Sequence, residues 1–355
     1  MAESRCLTLS STFVIEQGSQ TSAFLPADDS LQAAGSDQSL TNRDLKVLSV
    51  GIAVLDSVYV VNSYPVEEDV KELAPYHRWH RGGNASNTAT ALAILGARTE
   101  FLGTLSSSKI ASFVVDDFAR RGISTEHCVM YDQLSGPLAV VLTNRQNGSR
   151  TIIHTDSDLP ELSLEDFRRL DLSQYSWIHF EGRNVQTVAR MIEDVDCWND
   201  RQTTGVKPMP VRVSVELERP RAWQEEIMAV APLADVVFVS KDFAHFMKWE
   251  GVDQTLAAVA EHVKPSATII VTWGEQGAVA RSPDGVVVKS PSFPPEEVLE
   301  TLAAGDTFVG AVVYSLNCGN TLLDAITLGC QIAGAKVGMY GVDGLQEVHR
   351  KIMGK

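Results

Sequence analysis

The sequence predicts an α/β protein: a doubly wound, mostly parallel sheet flanked by helices. Three observations predict it. From Trp177 onward, short apolar runs alternate with longer segments of helical character, the pattern of strand–helix–strand units. The run Lys46–Leu55 is apolar on both faces, as a strand covered by helices on both sides must be. Asn147-Gly148 lies between the apolar runs Leu138–Leu142 and Arg150–His154, which is the strongest short-range hairpin signal.

Taken in order, residues 1–44 are rich in Ser, Thr, Gln, Ala, Asp and Gly with little periodicity, and read as a flexible extension outside the fold. Within it, Cys6–Leu9 and Phe13–Ile15 could form a short contact. Order is expected from Leu45, in a domain spanning 45–355. Lys46–Leu55 is the first buried strand, with Asp56 at its end. Val58–Val61 and the charged run after Pro65 read as an exposed strand pair. Asn84–Leu95 is a helix with small residues on one face, Glu100–Gly103 a strand and Ala111–Arg121 a helix. Trp177–Phe180 is a strand followed by a helix to about Ile192. Val211–Val215 precedes a Pro220–Met228 helix, and Asp235–Val239 and Thr268–Thr272 are further strands, with Val286–Lys289 as another. Asn199–Pro210 reads as a polar loop, and two helices close the chain.

Composition narrows the function. An apolar fraction of 44% and a charged fraction of 21% are ordinary for a globular protein. A net charge of −15 disfavours nucleic acid and anionic membrane as partners, while local basic residues can still bind an anionic substrate. Five scattered Cys without C-x-x-C spacing point to reduced thiols and no zinc site. No apolar run approaches the roughly 20 residues a bilayer requires, and no signal-peptide pattern opens the chain, so a cytoplasmic enzyme is expected.

One segment carries the most chemistry. Glu300-Thr301-Leu302-Ala303-Ala304-Gly305-Asp306-Thr307-Phe308 runs into a helical segment. Small residues at a helix start let backbone N–H groups approach an anion, and the helix dipole adds about half a positive charge there. An Asp among those donors repels an anion, so Asp306 reads as a base for the nucleophile that attacks a phosphate. The alternative is a capping Asp. Asn84 and Asn87, three apart after Gly82-Gly83, share a helix face, and carboxamides suit sugar hydroxyls. The alternative there is a Gly turn with Asn84 as N-cap. Asp56 at a strand end can accept two hydroxyl hydrogen bonds or close an Asx-turn. Arg150 beside the hairpin can grip a phosphate or simply be solvated. Trp273-Gly274-Glu275-Gln276-Gly277 follows a strand with G-x-x-G spacing, as a nucleotide loop would, although no P-loop or full G-x-G-x-x-G is present. Cys330, in a small-residue helix, reads as core or as a place for a flat ring, and His179 as a core residue.

These segments together resemble the ribokinase-like (PfkB) sugar kinases. Gly82-Gly83-Asn84 and Ala304-Gly305-Asp306-Thr307-Phe308 look like that family's two signatures. Arg81–Asn87, Asn147–Ile152, Trp177–Asn184, Asp235–Asp242 and Gly329–Gly334 resemble its fructose-phosphorylating branch, and the likeness runs from about Val47 to Gly344. The resemblance implies ATP-dependent transfer to the 1-hydroxyl of fructose or a related ketose. It makes Asp306 the general base and the backbone of Ala303, Ala304, Gly305 and Asp306 the anion hole. It places Asp56, Gly83, Asn84 and Asn87 on the sugar. It assigns Arg150, Trp273, Gly274, Glu275, Gln276, Gly277, Phe293, Pro294 and Cys330 to ATP. Residues 58–81 and 138–154 would form a β lid that clasps a second copy in a homodimer.

Two departures from the family pattern bear on this. The family usually has Gly where this chain has Ala303; if φ there is positive, Ala costs about 1 kcal/mol and can displace an amide donor. Ser240-Lys241-Asp242-Phe243 stands where the wider family carries an N-x-x-E motif that organises magnesium. The resemblance therefore implies Mg2+ arriving with ATP, held largely through water and phosphate oxygens, with K+ as a further ion and no dedicated metal ligands in the chain. The alternatives are another sugar or nucleoside kinase of the family, or a catalytically silent binding homologue on account of Ala303.

Overall fold

Alternation of side chains along the strands decides the layering, because a strand with apolar residues on both faces must be covered twice. The computed structural model describes residues 41–62, 74–109, 111–155, 157–202, 210–218 and 226–354. The expected extension therefore lies outside the described residues except for Thr41–Asp44, a turn in which the Asp44 carboxylate accepts from the Thr41 amide at 2.9 Å. The short contact expected over Cys6–Ile15 lies outside them too.

The described strands are β1 (Lys46–Val50), β2 (Val54–Val61), β3 (Tyr76–Gly82), β4 (Thr99–Leu102), β5 (Thr104–Ser106), β6 (Val129–Tyr131), β7 (Leu138–Asn144), β8 (Arg150–His154), β9 (Tyr175–Phe180), β10 (Arg212–Leu217), β11 (Val236–Val239), β12 (Thr268–Thr272), β13 (Ala278–Arg281) and β14 (Val287–Ser290). The helices are α1 (Asn84–Leu95), α2 (Ser112–Arg120), α3 (Leu164–Phe167), α4 (Val185–Arg201), α5 (Lys241–Phe246), α6 (Gly251–Ala260), α7 (Ala304–Asn317), α8 (Leu322–Val337) and α9 (Leu345–Ile352). The large sheet has the order β14-β13-β12-β11-β10-β9-β1-β4. Its strands from β12 to β4 are parallel, and β13 and β14 continue it antiparallel. Leu48, Ile178, Val237 and Ile269 pack on one face with Met191 and Ile192 of α4 and Val259 of α6. Their neighbours Val47, Trp177, Val236 and Ile270 pack on the other with Phe308 and Val312 of α7 and Ile326 of α8. That is the doubly wound arrangement expected from the alternating pattern.

The apolar run Lys46–Leu55 is not one strand. It breaks at Gly51, and β2 leaves for a second sheet of order β3-β2-β7-β8. Gly51 is where the chain can turn past Glu181, since a Cβ there would lie 2.4 Å from the Glu181 carboxylate. Asp56 consequently sits inside β2, not at the end of the first buried strand. β2 pairs antiparallel with β3 and parallel with β7, and the expected hairpin appears as β7 with β8. The partner of Val58–Val60 is therefore Tyr76–Arg78 in β3; of the charged run first expected to pair with it, residues 63–73 lie outside the described residues. Helix α1 has the expected bounds, and α4 runs past Ile192 to Arg201. Of the expected Pro220–Met228 helix, residues 220–225 lie outside the described residues, and a 3-10 turn covers Ile227–Leu233. Strand β13 and helix α9 were not expected; Ala278-Val279-Ala280 is too short and small-chained to stand out from a loop.

Register gives the small sheet two distinct faces. Asp56, His80, Ala139 and His154 lie in one row, and Val58, Arg78, Val141 and Ile152 in the next row on the same face. Val58 and Val141 pack against Leu302, just before α7, so this face looks onto the large-sheet layer. Ser57, Trp79, Val140 and Ile153 form a row on the opposite face, where Trp79 and Ile153 are exposed.

Candidate active site

Ligands of parallel sheets bind beyond the carboxyl ends of the strands. A cavity of about 460 Å³ lies there, bounded by the small sheet on one side and the start of α7 on the other. It brings together Asp56 of β2, Gly83, Asn84 and Asn87 at the start of α1, Arg150 of β8, and Ala303, Gly305 and Asp306. Eight residues from four segments, singled out in the sequence, thus share one space.

The start of α1 is built for this approach. Gly83 takes φ 96°, and a Cβ on it would lie 2.2 Å from the Ile52 carbonyl oxygen, so only glycine fits. Gly83 is itself the N-cap, without a side-chain cap bond, so Asn84 is not spent on capping. Its amide donates to Glu218 at 2.5 Å and reaches toward Glu216 at 3.4 Å. One turn on, the Asn87 amide donates to Asp306 Oδ2 at 2.7 Å. That bond aims the carboxylate into the cavity from the first turn of α7. A carboxylate in the cap position would face the amides of its own turn, so the capping reading of Asp306 does not describe it: the N-cap of α7 is Ala303.

Asp306 is buried, and its carboxyl is held well above the ordinary carboxylate range, first by burial and next by the negative charge of Glu218. The Asn87 hydrogen bond opposes this shift. Asp56 is pushed up to about 7 by burial, opposed by the Arg78 cation and reinforced by Glu300. Gly82, opposite Val54, leaves the room this carboxylate occupies: a Cβ there would be 2.0 Å from Asp56 Oδ2.

Ala303 adopts φ 61°, ψ 15°, in the left-handed region. The condition under which Ala is costlier than Gly is therefore met. The Ala304 amide turns back to Thr301 O at 3.3 Å, whereas the following amides open the helix, where orphan N–H donors gather. We predict that Ala303→Gly raises the unfolding free energy by about 0.5–1 kcal/mol. The relief of left-handed strain, about 1–2 kcal/mol, outweighs glycine's extra unfolded-state entropy. Urea unfolding checks this, and an unchanged or lower midpoint would contradict the strain.

Three carboxylates escaped the sequence reading: Glu181, Glu216 and Glu218, at the carboxyl ends of β9 and β10 and lining the same cavity. Glu181 Oε2 accepts from the Ile52 amide at 3.1 Å and the Ala85 amide at 3.2 Å, tying the loop after β1 to the start of α1. Glu216 is raised well above the ordinary range by burial and by Glu218, Asp306 and Glu181. A carboxylate at the end of a buried strand was the available signal.

The segments assigned to ATP lie next to one another but contribute unequally. Thr272 and Gly274 line the cavity, and Glu275 and Gln276 are exposed on the turn that follows. Gly277 takes φ 88° against the Ser290 carbonyl, and Ser292 Oγ donates to Glu275 O at 2.6 Å, so this turn and the Phe293-Pro294 approach form one patch. Gly334 of α8 meets the Phe293 backbone where a Cβ would lie 2.0 Å away. The side chains of Trp273 and Cys330 are buried in the two core clusters, away from the cavity. Arg150 Nη1 donates to Thr301 Oγ1 at 2.9 Å on the cavity wall. His179, as expected, is a core residue: its Nδ1 meets Ser214 Oγ at 2.9 Å, and burial pushes the imidazole down to about 3, so it stays neutral.

A comparison with family profiles matches residues 44–347 to the pfkB family carbohydrate kinases. The chain belongs to the pfkB family of carbohydrate kinases. Among curated proteins it is similar to the ketohexokinase of Mus musculus, 42% identical over 300 residues, covering 84% of this chain and 98% of the mouse protein. It is similar at 23% identity to the adenosine kinase of Schizosaccharomyces pombe, covering 72% of this chain and 78% of that protein. Among solved structures, the ribokinase of Giardia lamblia superimposes with a TM-score of 0.73 at 15% identity, over 88% of this chain and 99% of that one. The Arabidopsis thaliana ribokinase complexed with ribose and ATP gives 0.70 at 17% identity, over 87% and 98%. These two show the fold. As a pfkB carbohydrate kinase, the chain is a phosphotransferase acting with ATP. Among the described residues, no helix is long and apolar enough to cross a membrane.

Proposed function

We propose that this pfkB kinase transfers the γ-phosphoryl group of ATP to the 1-hydroxyl of fructose, giving fructose 1-phosphate. The likeness to mouse ketohexokinase supports the substrate class. The observation that carries the chemistry is the convergence of Asp56, Asn84, Asn87 and Asp306 on one cavity at the N-terminus of α7.

In this reading Asp56 and the two Asn side chains orient the ketose so that its 1-hydroxyl faces Asp306. The Asp306 carboxylate, aimed by Asn87, accepts the hydroxyl proton as the oxygen attacks phosphorus. The amides of Gly305 and Asp306 and the dipole of α7 face the equatorial oxygens of the transferring group. Arg150 leaves Thr301 for the phosphates. Trp273–Gly277, Phe293, Pro294 and Cys330 remain assigned to the nucleotide side, with Trp273 and Cys330 as the packing beneath it. Among the described residues, no three or more His, Cys, Asp or Glu side chains are grouped to hold a metal ion. Glu216, Glu218 and Asp242 line the cavity without forming such a group, so Mg2+ would be carried by phosphate oxygens and water, not by a cage of protein carboxylates. Such an ion would neutralise phosphate charge. K+ stays an expectation from the family resemblance, as does a cytoplasmic location.

The small sheet is the lid in this account: of residues 58–81 and 138–154, the described strand residues close over the cavity and exclude water. Its outward Trp79 and Ile153 provide the apolar face for a second copy in a homodimer. A coupled ADP-release assay across a sugar panel tests the proposal. ADP release is expected with fructose and not with glucose, whose ring lacks the matching hydroxymethyl arrangement. Release with ribose or adenosine alone would favour another kinase of the family. No release with any sugar, with a melting shift on adding fructose, would favour the silent homologue that Ala303 raises.

A further inference from the structure

The segment that enters α7 is held by the small sheet as well as by its own layer. Glu300, almost fully buried, receives three donors. Arg78 of β3 donates to its Oε1. Lys336 of α8 and the Gly341 amide donate to Oε2, each at 3.0 Å. The Leu299 and Glu300 amides both donate to Val337 O, at 2.9 and 3.1 Å. Thr301 Oγ1 donates to Gly148 O at 3.0 Å, in the β7–β8 connection. Leu302 packs on Val58 and Val141. Ala303 is the strained N-cap, and Asp306 follows in the first turn. Every residue from Glu300 to Leu302 therefore answers to the small sheet, within six residues of the base.

We infer that Arg78 and Glu300 form a latch through which the small sheet, when closed, sets the position of the α7 N-terminus. This rests on the reading of that sheet as a lid and of Asp306 as the base. Lys336 already balances the Glu300 charge, so Arg78, whose cation also acts on Asp56, is not needed there for neutralisation, and its bond to Glu300 joins the two layers. Both are positioning residues: neither lines the cavity. With the latch made, the lid and the helix N-terminus reach their working arrangement together. With the latch cut, the sheet can sit over the cavity while the anion hole wavers, and water gains access.

The test uses Arg78→Met in the full chain, because Glu300 keeps Lys336 and Gly341 in that variant, with Arg78→Lys as the conservative partner. Two readouts separate a latch from a merely structural role. In hydrogen exchange on the protein alone, Arg78→Met is expected to speed exchange at residues 301–306 as well as in β3. Faster exchange confined to β3 would overturn the latch, whatever the substrate proves to be. In assays with ATP and fructose, Arg78→Met is expected to lower kcat about 10-fold with a smaller change in KM. ADP should exceed sugar phosphate in that variant, and Arg78→Lys should restore most of the coupling. Unchanged kcat with one ADP per sugar phosphate would also overturn it. If the unsubstituted protein phosphorylates no sugar, the proposed function fails separately and the exchange experiment still decides the latch.

Discussion

Asp306→Asn is expected to lower kcat by about 10²-fold or more, with little change in the affinity for fructose. Asn keeps the size of the side chain and can still meet the Asn87 amide through its carbonyl oxygen, so the sugar side of the cavity keeps its shape. What it loses is the basic carboxylate. The same residue governs the acid side of the pH profile. Burial and Glu218 raise its pKa, and the base must be ionised to act. As pH falls, kcat should therefore fall at a pH above the ordinary Asp value of about 3.9. That limb should vanish from the residual kcat of Asp306→Asn. In kcat/KM, which reports the free enzyme, Asp56 adds a second group near 7. Full activity in the Asn variant, or an unchanged acid limb, would remove Asp306 from the role of base.

Gly83→Ala is expected to be nearly as damaging by a different route. Its φ of 96° and ψ of 133° belong to a region that L residues scarcely occupy, and the added Cβ would overlap the Ile52 carbonyl oxygen at 2.2 Å. The obstructing atoms are backbone of Ile52 and Ala53, which cannot swing aside as a side chain could, so the destabilisation should be about 3 kcal/mol or more. Asn84 and Asn87 move with the start of α1, and kcat/KM should fall more than 10²-fold if the protein folds at all. Gly96→Ala is the control. Gly96 also has positive φ, 100°, but a Cβ there meets nothing within 4 Å, so it should lose only the conformational term of about 1 kcal/mol. Equal melting temperatures for the two variants would contradict the steric argument.

Much of the site was legible because its chemistry is local in sequence. Gly82-Gly83 before a helical run announces a close backbone approach, and small residues before Asp306 announce a helix start open to an anion. Those signals need no tertiary information. What was missed needs the fold. Glu181, Glu216 and Glu218 look like ordinary strand ends until parallel pairing brings β9 and β10 to the same edge of the sheet. The break at Gly51 was hidden because the residues on either side are equally apolar, although they serve two different sheets. Trp273 sits in a motif that suggests nucleotide contact, but its ring is buried in the core; motif spacing does not say which way a side chain turns. The left-handed Ala303 could only be posed as a condition from sequence, since nothing but coordinates supplies φ.

The central claim is that Asp306 takes the proton from the 1-hydroxyl of a bound ketose as the phosphoryl group arrives at the N-terminus of α7. Phosphorus NMR of the product formed from fructose and ATP tests it most directly. The account predicts a single phosphate ester whose phosphorus couples to the C1 methylene protons. An ester at another carbon, or inorganic phosphate as the main product, would contradict it.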